Sequence, residues 1–142
     1  IRRPPRSTQS RSSAASDVYK RQVEEEARSI IRYRIKQMFN VDIELSSIFV
    51  DTQEINIYGA AGDICVVGEA TVRLGASLVQ ELLDKVELIK AKKPELLRDK
   101  IIKVIYANYA VPEALDLAKN NNIWVVKWDK DLTPLKIEEH EH

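Results

Sequence analysis

The sequence predicts one α/β domain, a mixed sheet with helices packed against it. Three observations lead there. Apolar residues recur at helical spacing in 23–39 and again from Ser77 to about Lys93. They alternate at strand spacing through 54–73, the dense β-branched run at 101–106 reads as an interior strand, and 123–128 reads as the last strand. The order is helix, three strands, helix, strand, helix, strand. Three closely spaced strands suit an antiparallel meander, and the later strand–helix–strand unit suits a right-handed parallel crossover. At 142 residues the chain can bury a core without staples.

In the first helix Ala27, Ile30, Ile31, Ile35 and Met38 form one stripe. Glu24, Glu25 and Glu26 suit the positive end of its dipole, and one of them could instead point into a site. Asn40 is a plausible stop. Residues 47–51 make a short strand and Thr52–Gln53 a turn into a hairpin. Gly59 and Gly62 supply that hairpin's loop, and Gly68 suggests a bulge or a close backbone approach in its second strand.

Ser77 with Gln80 reads as a capping box for the long second helix, whose stripe is Leu78, Leu82, Val86 and Ile89 with Val79 and Leu83 alongside. That helix stops before Pro94, where a short helical turn follows. Residues 101–106 are the next strand. Pro112 opens a third helix that Asn120, Asn121 and Asn122 end. Trp124 and Trp128 lie four apart on the last strand, hence on one face, as core residues or as anchors of a subunit contact.

Composition excludes several classes. No apolar run approaches the roughly 18–20 residues of a membrane span. Cys65 stands alone inside a strand, so no internal disulfide forms, and a reducing cytoplasmic compartment is expected. No CxxC, HExxH or glycine-rich phosphate loop occurs, which leaves zinc sites and nucleotide cofactors without support. Enrichment in Ile, Lys and Glu points to a thermophilic source.

The domain organisation follows from charge. Residues 1–22 hold six basic side chains and one acid, leaving 16 basic and 21 acidic for the rest of the chain. This Ser-, Arg- and Pro-rich stretch reads as a structureless basic segment. It closely resembles the translation of a sequencing-library adapter, which would make it non-native. A transit peptide or a nucleic-acid-binding arm are the other readings. Residues 23–131 then form the α/β domain, mildly acidic and ill-suited to nonspecific phosphate binding. Residues 132–142 form an acidic tail, frayed, with His140 and His142 capable of weak adventitious metal capture.

The hairpin at 54–73 holds the functional clue. Ile55 and Ile57 should share one face, with Glu54, Asn56 and Tyr58 on the other. Glu69 follows the apolar run from Ile64 to Val67, so its carboxylate emerges from a core strand. Such a group costs several kcal/mol unless paired or ligated.

The order of elements, with polar groups on the second and third strands, resembles the PD-(D/E)XK or restriction-endonuclease-like nuclease superfamily. The resemblance covers roughly residues 23–127. It is most similar to archaeal members, whose acid–apolar–Asp–apolar–Gly and Gly-Glu-Ala-Lys motifs read here as Glu54, Ile55, Asn56, Ile57, Tyr58, Gly59 and as Gly68, Glu69, Ala70, Thr71. In that family two carboxylates hold Mg²⁺ or Mn²⁺ against the scissile phosphate, and the lysine stabilises developing charge. The resemblance implies metal ligation by Glu69, with Asn56 in place of the aspartate and Glu54 nearby. It implies that Thr71 stands where the catalytic lysine belongs, with Arg73 as a migrated cation. With both positions altered, the expected protein is a catalytically silent member acting in assembly, as a homo-oligomer, or in DNA binding. A rearranged metal-dependent endonuclease is the alternative. Without a ligand, Glu69 would pair with Arg73 or Lys103. The basic concentration from Lys85 to Lys100, with Lys90, Lys92 and Lys93 at its centre, is the candidate DNA contact, or else a solvated helix face.

Overall fold

The computed structural model describes the backbone of residues 5–140 and the side chains of residues 17–140. The elements are α1 (Pro5–Phe39), β1 (Ser46–Val50), β2 (Gln53–Ala61), β3 (Ile64–Leu74), α2 (Ala76–Lys92), a 3₁₀ turn (Pro94–Leu96), β4 (Lys100–Ala110), α3 (Pro112–Asn120), β5 (Trp124–Val126) and β6 (Ile137–Glu139). Among the described residues the sheet has six strands, in the order β1-β2-β3-β4-β5, with β6 also paired to β4. The first three run antiparallel; β3, β4 and β5 are parallel, and β6 is antiparallel to β4. The mixed sheet flanked by helices is the architecture the element order predicts.

Two apolar layers hold it. On one face α1 buries Val23, Ala27, Ile31 and Ile35 against Ile57, Val66, Val104, Tyr106 and Trp124. On the other, α2 and α3 bury Val79, Leu82, Val86, Ile89, Ala114 and Ala118 against Val67, Ile101, Ile105 and Val125. The central strands are apolar on both sides because both faces are covered. Gly68 is the predicted close approach: a Cβ there would collide with the Val104 carbonyl of the neighbouring strand.

Several expectations are corrected. The helix α1 begins at Pro5, so the stretch read as structureless is helical from that proline onward, while residues 1–4 lie outside the described residues. Proline suits a first helical position, no glycine or proline follows before Phe39, and extending an existing helix is cheap. Residues 17–22 are all exposed and add nothing to the core. Met38, expected in the buried stripe, is exposed. The second helix starts at Ala76 behind Gly75 with no side-chain cap, and Gln80 instead donates to Asp84. Trp124 is fully buried but Trp128 lies past the end of β5 and is exposed, so the two do not share a strand face. The tail expected to fray supplies β6; Glu141 and His142, and with them the His140–His142 pairing, lie outside the described residues.

The hairpin's first strand also departs from simple alternation. Ser46 pairs with Tyr58 but Ile48 with Ile55, so β2 carries one extra residue at Asn56–Ile57. A bulge inverts which side chains face which way. Ile55 therefore enters the α2-side core and Ile57 the α1-side core, where strict alternation would put both on one face.

Candidate functional site

The bulge sits beside Glu69. Backbone pairing of β2 with β3 runs from Ala61↔Ile64 to Ile57↔Gly68 and ends there. Beyond it, side chains take over the ladder. The Asn56 N–H donates to Glu69 Oε2 at 3.0 Å, and the Ala70 N–H donates to Asn56 Oδ1 at 3.4 Å. From the α1 side, the Arg28 guanidinium donates to the Asn56 carbonyl at 2.9 Å. Asn56 and Glu69 are both buried, 6% and 4% exposed, so these bonds satisfy groups that water does not reach.

The charge on Glu69 is met by Lys85 of α2. Its Nζ lies 2.9 Å from Glu69 Oε1 and 2.6 Å from the Glu54 carbonyl. Burial raises the Glu69 carboxyl above its ordinary value, partly offset by the Asn56 N–H and by Lys85. A groove of about 550 Å³ lined by Gln53, Glu81, Asp84, Lys85 and Leu88 opens beside the pair.

The other expected site residues are elsewhere. The Glu54 carboxylate accepts from the Ser47 hydroxyl at 2.7 Å. Thr71 donates to the Arg73 carbonyl at 3.1 Å, and the Arg73 guanidinium lies 5.6 Å over the ring of Tyr109. Neither expected partner of Glu69 reaches it: Arg73 is exposed on that ring, and Lys103 is paired with Glu138 at 2.7 Å. Lys90 is held by Glu87 at 3.2 Å and Glu138 at 3.4 Å, while Lys92 and Lys93 are exposed at the end of α2. Of the three acids opening the sequence-predicted helix, Glu26 accepts from the Tyr106 hydroxyl, and that contact with burial pushes the phenol well up.

The chain belongs to the family described as Domain of unknown function (DUF8196), whose model matches residues 25–135. No curated protein matches it, and no solved structure does. The DUF8196 match contains Asn56, Glu69, Lys85 and Lys103 and stops short of β6. Within that domain Lys85 is the residue sequence reasoning placed wrongly, on a solvated face. The signal was present: Leu82, Lys85, Val86 and Ile89 follow the i, i+3, i+4, i+7 spacing of the buried stripe.

Proposed function

We propose that this domain is a nuclease-like α/β scaffold that does not cut and works through assembly. Support for a restriction-endonuclease-like core is the order of helix, three-stranded meander, helix and strand, with the positions of the two family motifs adjacent at the end of the β2–β3 ladder. The observation behind a silent site is that the chain itself occupies both oxygens of Glu69, one with a backbone N–H and one with Lys85.

A divalent cation does not fit these donors. Mg²⁺ depends on several oxygen ligands and on negative charge. Here the Glu69 carboxylate is neutralised by Lys85, the Asn56 amide oxygen serves Ala70, and Glu54 turns to Ser47. Among the described residues no group of three His, Cys, Asp or Glu converges as a metal site. DNA binding is the weaker half of the non-catalytic reading, because two carboxylates already hold Lys90. Assembly has more to work with: Phe49 on edge strand β1, Tyr33 and Trp128 are large apolar side chains, each more than 60% exposed. No helix among the described residues is long and apolar enough to cross a membrane.

One observation favours the rearranged nuclease instead. Lys85 places a cation beside Glu69, which Thr71 cannot do. Calorimetric titration with millimolar Mn²⁺, alongside incubation with single-stranded, duplex and branched DNA, separates the two. The silent reading expects neither heat nor cleavage. Cleavage that Glu69→Ala and Lys85→Met both abolish would overturn it. For assembly, sedimentation equilibrium should give a mass above the monomer's at micromolar concentration, and a monomer would count against it.

A further inference from the structure

The strand β4 is paired with β3 along its length on one side. Its other side is shared: β5 covers Val104, Ile105 and Tyr106, and β6 covers Lys100, Ile101 and Ile102. Without β6 this second stretch would be an open strand edge, which readily accepts another strand.

The slot is built for an acid. Lys103 stands on the α2 side of β4 and is only 5% exposed. Its ammonium meets Glu138 Oε1 at 2.7 Å, and Lys90 from α2 approaches Glu138 Oε2 at 3.4 Å. Burial alone would raise the Glu138 carboxyl, but the two lysines outweigh it and hold it below its ordinary value. On the opposite face Ile137 packs into the α1-side layer. The slot thus reads an apolar residue followed by a carboxylate on a strand antiparallel to β4, and the His140 N–H extends the pairing to the Asp99 carbonyl at 2.8 Å.

Both lysines lie inside the family match, which ends at residue 135, while the acidic strand that satisfies them lies beyond it. We propose that the β4 edge at Lys100–Ile102 is a docking site for an acidic extended strand. The occupant in trans is the tail of a second copy of this chain, the tail seen in place being its intramolecular competitor. The match of occupant to slot is the argument: a buried lysine demands a carboxylate, and a second copy supplies the same strand with the same residues. Because Glu138 is remote from the Glu69 pair in sequence and held by different lysines, this proposal and the silent-site reading fail independently.

The test uses the full chain and a fluorescein-labelled peptide spanning residues 135–142. A tethered tail competes at high effective concentration, so the unaltered chain should bind the peptide weakly. The full-length Glu138→Ala chain, whose own tail has lost its anchor, should bind at least about tenfold more tightly. A peptide with Gln at the Glu138 position should lose that gain, as should adding Lys103→Met to the Glu138→Ala chain. Equal affinity of both chains for the peptide, with circular dichroism unchanged, would overturn the proposal. If Glu138→Ala does not fold, the unaltered chain decides the matter by hydrogen exchange. Millimolar N-acetylated peptide should accelerate exchange of the chain's own 137–139 amides while 100–102 stay protected, and no acceleration would overturn it.

Discussion

The Glu69–Lys85 pair makes a quantitative prediction. Glu69→Ala leaves the Asn56 N–H without its acceptor in a buried setting, a loss of about 1–3 kcal/mol. It also strands the Lys85 ammonium, whose side chain is 14% exposed and keeps only the Glu54 carbonyl. Removing one partner of a buried pair costs about 3–5 kcal/mol. Since Lys85 retains some water and one acceptor, the low end of that range applies to it, and about 4–6 kcal/mol in total is expected. Glu69→Leu with Lys85→Met replaces the pair by apolar groups, and should cost only about 1–3 kcal/mol, for the orphaned Asn56 N–H. Lys85→Met alone leaves a buried carboxylate that can take up a proton. Its folded pKa then rises further above that of the unfolded chain. The destabilisation should therefore be largest at neutral pH and shrink as pH falls into the carboxylate range. Urea denaturation followed by circular dichroism, from pH 4 to 7, reads all three. A double variant no more stable than Glu69→Ala, or a Lys85→Met cost independent of pH, would refute this account of the pair.

Three further outcomes follow from the packing. Gly68→Ala drives a methyl into the Val104 carbonyl between β3 and β4, and should lower stability by about 1–3 kcal/mol in the same urea assay. The Glu138 carboxyl lies below its ordinary value in the folded state, so its contribution is present above the unfolded pKa and lost as pH falls through the folded one. Glu138→Gln should thus flatten the acid limb of a melting-temperature profile, and an unchanged limb would count against the Lys103–Glu138 pair. Arg73→Ala removes an exposed ring contact and should cost only about 0.5 kcal/mol. A larger loss by denaturant titration would show Arg73 bound to something other than Tyr109.

The legible parts of this fold were those governed by local chemistry. Asn40 ends α1 in the left-handed conformation, Gly68 marks a close approach, Pro94 and Pro112 open helical turns, and the β-branched run at 101–106 is the core of β4. Glu69 could be singled out because a carboxylate after four apolar strand residues needs an explanation. Its partner could not. Arg73 and Lys103 are close in sequence or on a neighbouring strand, yet Lys85 on a packed helix reached it first.

Alternation also misled where the chain inserts one extra residue. Nothing in the composition of β2 announces the bulge, beside which Asn56 and Glu69 exchange side-chain bonds for ladder bonds. The tail is the same case in another form. An acidic C-terminal stretch has no local reason to be a strand, yet it pairs with β4 and sets Glu138 against the buried Lys103. The sequence by itself determined the order of elements, the apolar faces and the anomalous acid, since these depend on neighbours along the chain. Only the tertiary structure decided which lysine answers which carboxylate, since a charge taken from water pairs with whatever the fold brings within reach.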